Sequence, residues 1–182
     1  MIIYKDVCTN EELFTDAYKL GFEGPDNFLI SVEGKLVTRP KGGDISADLI
    51  GGNPSQEEQQ EGCDEVEMES GIDIVLSQKL TDQSDFFSSK KVLQSYLKKW
   101  LKNTADALKD SEQEEKCASF KKDCQAHIKL FLEKWSPDAS VFADEKFDPE
   151  EAKSSLLIAV WSEDGMGATL YGIREALCDE KC

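Results

Sequence analysis

Two successive apolar stripes between residues 90 and 135 constrain the fold of this chain more than any other feature. The first stripe comprises Val92, Leu93, Tyr96, Leu97, Trp100, Leu101, Ala105 and Leu108. The second comprises Cys117, Phe120, Cys124, Ile128, Phe131 and Trp135. Apolar residues three, four and seven positions apart are typical of an amphipathic helix with one buried face.

The boundaries of these two helices are also marked in the sequence. Ser111 and Glu114 match a capping box, which predicts the start of the second helix. Ser136-Pro137 predicts its end, because a residue before proline disfavours helical geometry. Two helices with a short break between them should fold back on each other, so we predict an antiparallel helical hairpin over residues 88–136.

The segments on both sides of the hairpin have strand character. MIIYKDV and GIDIVLSQKLTD are each predicted as one strand, and FLISVEGKLVTRP as two strands around a turn at Glu33-Gly34-Lys35. Near the C-terminus, two apolar runs flank Glu163-Asp164-Gly165 and predict another β-hairpin. Thr9 and Glu12 match a capping box, which predicts a short helix ending at Gly21.

This order of elements predicts an α+β fold with a mostly antiparallel β-core. We expect one domain over residues 1–182, with the β-core in residues 1–87 and 137–182 and the helical hairpin inserted between them. Residues 41–70 are expected to form a flexible acidic loop, because their middle part has almost nothing to bury.

Charge excludes some classes of function. The chain has 37 Asp and Glu against 21 Lys and Arg, a formal net charge of -16, which argues against binding to nucleic acid or anionic lipid. Ten of these acids and no Lys or Arg lie in residues 44–73. Clustered carboxylates suit a weak calcium site, but a solvated acidic loop is the simpler interpretation. No cofactor beyond weakly bound calcium is expected.

The first predicted helix has the opposite charge. Residues 90–109 contain one acid, Asp106, and six lysines: Lys90, Lys91, Lys98, Lys99, Lys102 and Lys109. Several of them recur near the helical period, so this local cationic stripe is a candidate for binding an acidic partner such as a tubulin tail. The alternative is an ordinary solvated helix face.

Catalytic and membrane signatures are absent from the sequence. GxSxG, GxxxxGK and HExxH are all missing, and the lone histidine, His127, is expected to have a structural or surface role. We see no classical signal peptide and no apolar run long enough for a transmembrane helix, so a cytoplasmic, reduced protein is expected. We expect a monomer in which an exposed Cys182 can cross-link two chains under oxidation.

Five segments together resemble the translationally controlled tumour protein family, also called fortilin or histamine-releasing factor. They are MIIYKD, FLISVEGKLV, LIGGNPSQEE, GIDIVLSQKL and the terminal EKC, in that order along nearly the whole chain. Residues 50–55 and Glu57 match the family signature, while Gln56 departs from it. The segment SVFADEKF departs from the second family motif, which indicates a divergent member.

The resemblance implies a β-tent core similar to Mss4, a protruding helical hairpin and a mobile acidic loop. It also implies a non-enzymatic, growth-promoting and survival-promoting protein that binds calcium, tubulin, translation elongation factors and apoptosis regulators. Non-classical secretion and a cytokine-like, histamine-releasing dimer linked through Cys182 are further family properties. Regulation of a Rheb-like small GTPase has been proposed for the family.

The resemblance assigns candidate residues to these activities. Its GTPase-linked glutamate matches Glu12, although a helix-capping role is an equally simple interpretation. The candidate GTPase surface is Glu12, Ile50, Gly51, Gly52 and Asn53. The candidate calcium ligands are Asn53, Ser55, Glu57 and Glu58. The family's phosphorylatable serine is replaced by Asp48.

Overall fold

A computed structural model describes residues 1–41 and 67–182. Its ten strands are β1 (Ile2–Asp6), β2 (Glu12–Thr15), β3 (Lys19–Glu23), β4 (Leu29–Pro40), β5 (Met68–Ile72), β6 (Thr81–Asp82), β7 (Ser140–Ala143), β8 (Leu157–Trp161), β9 (Gly167–Ile173) and β10 (Leu177–Lys181). Its three α-helices are α1 (Asp73–Ser77), α2 (Lys90–Asp110) and α3 (Glu114–Lys134).

The strands form two antiparallel sheets. The smaller sheet has the order β10-β1-β2, and the larger has the order β3-β4-β9-β8-β7-β6 with β5 added along β4. One hydrophobic cluster lies between α2, α3 and the larger sheet, and a second joins the two sheets. These antiparallel sheets and the α2–α3 hairpin confirm the predicted α+β fold class.

The hairpin forms where the apolar stripes predicted it. Ser89 caps α2 by accepting a hydrogen bond from the Val92 N–H at 3.4 Å. The capping box predicted for α3 is wrong, because Ser111 lies at the C-terminal end of α2 and its hydroxyl donates to the Leu108 carbonyl at 3.0 Å. Helix α3 ends at Lys134, just before the predicted Ser-Pro stop.

The helix predicted from Thr9 to Gly21 is also wrong, since β2 and most of β3 occupy this segment. The Thr9 hydroxyl donates to Asp144 Oδ2 at 2.8 Å instead of capping a helix. Leu13 and Phe14 are completely buried in the cluster between the sheets, which favours the extended strand at this position.

Two further local predictions are corrected. The turn predicted at Glu33-Gly34-Lys35 lies inside the continuous twelve-residue strand β4. Gly34 is needed there for close packing, because a Cβ at this position would collide with the Ile72 side chain. The strand predicted over GIDIVLSQKLTD ends at Ile72, and α1 then contains Ile74 and Leu76.

The β-hairpin predicted around Glu163-Asp164-Gly165 is confirmed by the antiparallel pairing of β8 with β9. Gly165 has a φ of 70°, a left-handed conformation that glycine adopts without a steric penalty. Within residues 1–41 and 67–182, none of the helices is both long enough and apolar enough to cross a bilayer.

Candidate interaction surfaces

The lysines of α2 form the most distinctive surface of the described chain. At 3.6 residues per turn, Lys91, Lys98, Lys102 and Lys109 fall within an arc of about 40° and extend over about 27 Å of the helix axis. All four side chains are exposed. We call this row the lysine ridge.

Lys90 and Lys99 are also exposed and lie on either side of the lysine ridge. None of the six lysines forms an ion pair with any residue in the described ranges, 1–41 and 67–182. The two acids of α2 are Asp106, one turn after Lys102, and Asp110, next to Lys109 at the end of the helix. The ridge therefore presents positive charge that the described part of the chain does not neutralise.

The opposite face of α2 fixes the ridge in place. Its buried residues are Leu93, Tyr96, Leu97, Trp100, Thr104, Ala105 and Leu108. The Trp100 ring meets the Phe120 ring of α3 edge to face, with centroids 5.7 Å apart. Because the residues on this face are buried in the core, α2 packs in one orientation, and its lysines lie on the exposed side.

Hydrogen bonds also join α2 to the segment between β7 and β8. The Tyr96 hydroxyl donates to the Ser154 carbonyl at 2.7 Å, and Asn103 Nδ2 donates to the Glu151 carbonyl at 2.6 Å. Burial raises the pKa of Tyr96 far above its ordinary value, and the nearby carboxylates of Asp6 and Asp144 act in the same direction. The Tyr96 hydroxyl is therefore a permanent donor.

A shallow groove runs along α2 beside the ridge. Its lining residues are Phe86, Lys91, Val92, Ser95, Tyr96, Lys99 and Pro149, and it encloses about 250 Å³. We call it the aromatic groove. Sequence analysis missed it, because Pro149 lies far along the chain from the helix.

Glu12 lies at the start of β2 with its side chain exposed. Its strand partner in β1 is Lys5, which forms an ion pair with Glu180. The alternative role of Glu12 as a helix cap is wrong, because no helix begins near it in the described chain. Glu12 instead borders a polar groove whose other lining residues are Lys5, Asn10, Glu11, Ser77, Gln78, Lys79 and Glu145.

Two buried carboxylates hold the loop that precedes Glu12. Asp6 is 1% exposed and accepts hydrogen bonds from the backbone N–H groups of Cys8 (2.6 Å), Thr9 (2.9 Å) and Ser155 (2.6 Å). Burial raises the pKa of Asp6, while these hydrogen bonds favour its charged form. The carboxylate thus ties the β1–β2 loop to the segment before β8.

Asp144, also 1% exposed, is the second of these carboxylates. It accepts hydrogen bonds from the Thr9 hydroxyl at 2.8 Å, the Ser154 hydroxyl at 2.9 Å and the Lys146 N–H at 2.9 Å. Lys146 in turn forms an ion pair with Glu11 at 2.6 Å. Sequence analysis did not identify Asp6 or Asp144, since nothing local distinguishes them from surface acids.

A pair of acidic residues, Asp123 and Glu175, joins α3 to the turn before β10. The Ser119 hydroxyl lies 3.3 Å from Asp123 Oδ2 and 3.4 Å from Glu175 Oε1. Partial burial, together with the neighbouring Asp123, raises the pKa of Glu175 to about 7, whereas a hydrogen bond with Glu175 lowers the pKa of Asp123. The neighbouring carboxylate therefore favours the protonated form of Glu175.

The other predicted residues are dispersed. His127 is half-buried, with its ring 5.7 Å from that of Phe28, and Cys182 is exposed as a free thiol. No group of three or more His, Cys, Asp or Glu side chains suited to a metal is present within residues 1–41 and 67–182. Ile50, Gly51, Gly52, Asn53, Ser55, Glu57 and Glu58 lie outside the described residues.

A family model described as translationally controlled tumour protein matches residues 1–178 of the chain. The chain belongs to the translationally controlled tumour protein family. This match includes residues 136–155, where the sequence departs from the family pattern and where Asp144 and Ser154 form their buried hydrogen bonds.

Curated relatives support the same assignment. The translationally-controlled tumor protein homologs of Danio rerio and Labeo rohita are each 35% identical to this chain over 182 residues, with full coverage of both sequences. The translationally-controlled tumor protein of Mus musculus is 30% identical, also with full coverage.

Solved structures of translationally controlled tumour proteins share the fold. The protein p23fyp of Schizosaccharomyces pombe matches with a TM-score of 0.65 and 29% identity, and both chains are fully covered. The protein of Caenorhabditis elegans matches with a TM-score of 0.61 and 30% identity, covering 100% of this chain and 99% of that one.

Proposed function

We propose that the chain is a non-enzymatic interaction protein that uses the lysine ridge to bind acidic segments, with the tails of tubulin as the first candidate partner. The observation that carries this proposal is the row of exposed lysines on α2, which has no ion-pair partner in the described ranges. Local positive charge on a protein of net charge -16 favours a defined acidic partner over general binding to polyanions.

The test is charge reversal on the ridge. The variant Lys91→Glu/Lys98→Glu/Lys102→Glu should weaken binding to microtubules roughly tenfold or more, because each exposed charge pair contributes about 0.2–1 kcal/mol and reversal adds repulsion. Cosedimentation with microtubules gives the affinity.

A matched control carries the same change of charge elsewhere. Lys35, Lys129 and Lys181 are exposed and lie outside α2, so their joint replacement by glutamate should weaken binding much less. Equal losses in both variants would mean that net charge, and not the ridge, determines binding.

A second candidate function, regulation of a Rheb-like small GTPase, is supported by the position of Glu12. Its exposed carboxylate borders a polar groove and follows a loop that Asp6 and Asp144 hold in place. A fixed, exposed carboxylate is suited to contact a basic or polar group of a partner.

The expected result for Glu12→Val is the loss of any acceleration of nucleotide release from the GTPase, with the thermal stability of the chain unchanged. Fluorescent nucleotide release measures the rate, and Glu163→Val, in the β8–β9 turn, is the control. If Glu12→Val accelerates release as well as the wild type, Glu12 has no part in it.

The remaining family properties are part of the same proposal. They comprise weak calcium binding by Asn53, Ser55, Glu57 and Glu58, contacts with translation elongation factors and apoptosis regulators, and support of growth and survival. The proposal also includes a cytoplasmic location with non-classical secretion. It further includes the formation of oxidative dimers through Cys182. The free thiol and exposure of Cys182 support the last of these.

A further inference from the structure

Phe86 is an exposed aromatic residue just before α2. Its side chain is 41% exposed, and its ring meets the buried Phe87 ring edge to face with centroids 4.9 Å apart. The Phe147 ring lies next to both, with its centroid 6.1 Å from that of Phe86, and it also contacts Phe87 and Tyr96. The ring is therefore held by packing while much of it faces solvent.

The Phe86 ring forms part of the lining of the aromatic groove. Phe86, Val92, Tyr96 and Pro149 supply its apolar surface. Lys91 and Lys99, both exposed, supply its charged rim. A volume of about 250 Å³ can accept one large side chain.

The groove and the lysine ridge share one helix. On the helical wheel, Ser95 and Lys99 follow the ridge on one side, with Val92 and Tyr96 next beyond them. Lys91 belongs to both surfaces. A peptide lying along the ridge would thus place its neighbouring side chains over the groove.

We propose that the aromatic groove binds one aromatic side chain within an acidic peptide whose carboxylates pair with the lysine ridge. This inference rests on the proposed function, because the ridge supplies the charge that attracts the peptide, and it adds the groove as the determinant of sequence preference. The charge of the ridge alone would accept any acidic segment. A groove that accommodates one side chain would favour acidic segments that carry an aromatic residue at the matching position.

Charge complementarity favours this occupant over a second copy of the chain. Lys91 and Lys99 line the groove, and Lys98 and Lys102 continue the ridge on the same helix; none of the four forms an ion pair in the described ranges. In a two-fold dimer through this groove, Lys91 and Lys99 of one copy would approach the same lysines of the other, so like charges would repel.

The test compares two labelled peptides by fluorescence anisotropy. Both are short polyglutamates, one with a central phenylalanine and one with a central serine. The phenylalanine peptide should bind roughly tenfold more tightly, since burying an aromatic side chain is strongly favourable. Light scattering of the protein alone checks for self-association through the groove.

Two variants locate the effect. Phe86→Ala should abolish the preference for phenylalanine and leave binding of the serine peptide unchanged. Ser95→Trp fills the groove without a change of charge or the loss of a core contact, and should have the same effect. Phe22→Ala is the matched control, because Phe22 is 47% exposed on β3, away from α2.

The outcomes separate this inference from the proposed function. Equal affinity for the two peptides, or a preference that survives both groove variants, would overturn the groove while leaving the ridge intact. Failure of both peptides to bind would overturn the ridge as well. Self-association lost in Phe86→Ala would assign the groove to a second copy instead.

Discussion

Replacing Asp6 with alanine is expected to lower the free energy of unfolding by roughly 3–6 kcal/mol. A buried donor left without a partner costs about 1–3 kcal/mol, and the upper end of that range does not apply to the Cys8 and Thr9 donors because they are only partly buried. Three backbone N–H groups would lose their acceptor: that of Ser155, which is buried, and those of Cys8 and Thr9, which are partly buried. Urea unfolding followed by circular dichroism at neutral pH gives the value.

Asp6→Asn separates hydrogen bonding from charge. Its carbonyl oxygen can still accept from Cys8 and Thr9, as Oδ1 does in the wild type. Its NH2 group, however, would replace the oxygen that accepts from the Ser155 N–H, so that two donors would face each other. We expect a loss smaller than that of the alanine variant.

The pH dependence of these variants has a definite sign. Because the pKa of Asp6 is raised in the folded chain, its protonation favours folding at low pH, and this contribution is lost as pH rises through the folded pKa. Asp6→Asn should remove this part of the pH dependence. An alanine variant as stable as the wild type would show that the three hydrogen bonds contribute little.

Replacing Trp100 with alanine should cost about 3–5 kcal/mol, the usual range for a large aromatic residue in a core. Trp100 is 2% exposed and packs edge to face against Phe120, so it joins α2 to α3. The lysine ridge depends on this packing, and microtubule binding should fall as the fraction of folded protein falls. Thermal unfolding measures the loss.

Two other variants define the cause of the loss. Trp100→Phe keeps a ring and removes a buried indole N–H that has no hydrogen-bond partner among residues 1–41 and 67–182, so it should cost much less than alanine. Trp161→Ala affects a half-buried tryptophan whose N–H donates to Ser140 at 3.0 Å, and it should also cost less. Equal losses at positions 100 and 161 would contradict the central role of Trp100.

The helical hairpin was predictable because its signal is local and repeated. Each buried residue of α2 has another buried residue three or four positions away, so the stripe can be seen in the sequence alone. The exposure of the six lysines follows from the same periodicity. Their role in binding remains a prediction.

The errors arise where a distant contact overrides a local pattern. Thr9 matched a capping box, but its hydroxyl donates to Asp144, which is 135 positions away. Gly34 matched a turn, but it lies within β4 opposite Ala168, and a Cβ at this position would collide with the Ile72 side chain. Short motifs carry no information about which remote residue will compete for their hydrogen bonds or space.

The candidate site was predictable only in part for the same reason. The lysine ridge comes from one helix, whereas the aromatic groove combines α2 with Phe86 and Pro149. The buried acids Asp6 and Asp144 differ from surface acids only in their tertiary surroundings. Sequence patterns identify a surface on one element, but not one assembled from several.

The most direct test of the central claim is the salt dependence of microtubule affinity for the wild type and for Lys91→Glu/Lys98→Glu/Lys102→Glu. If exposed lysines bind acidic tails, wild-type affinity should fall steeply as salt shortens the screening length to about 8 Å at physiological ionic strength. The variant should bind weakly with a shallow dependence. A wild-type affinity that does not change with salt, and that charge reversal leaves intact, would contradict the account.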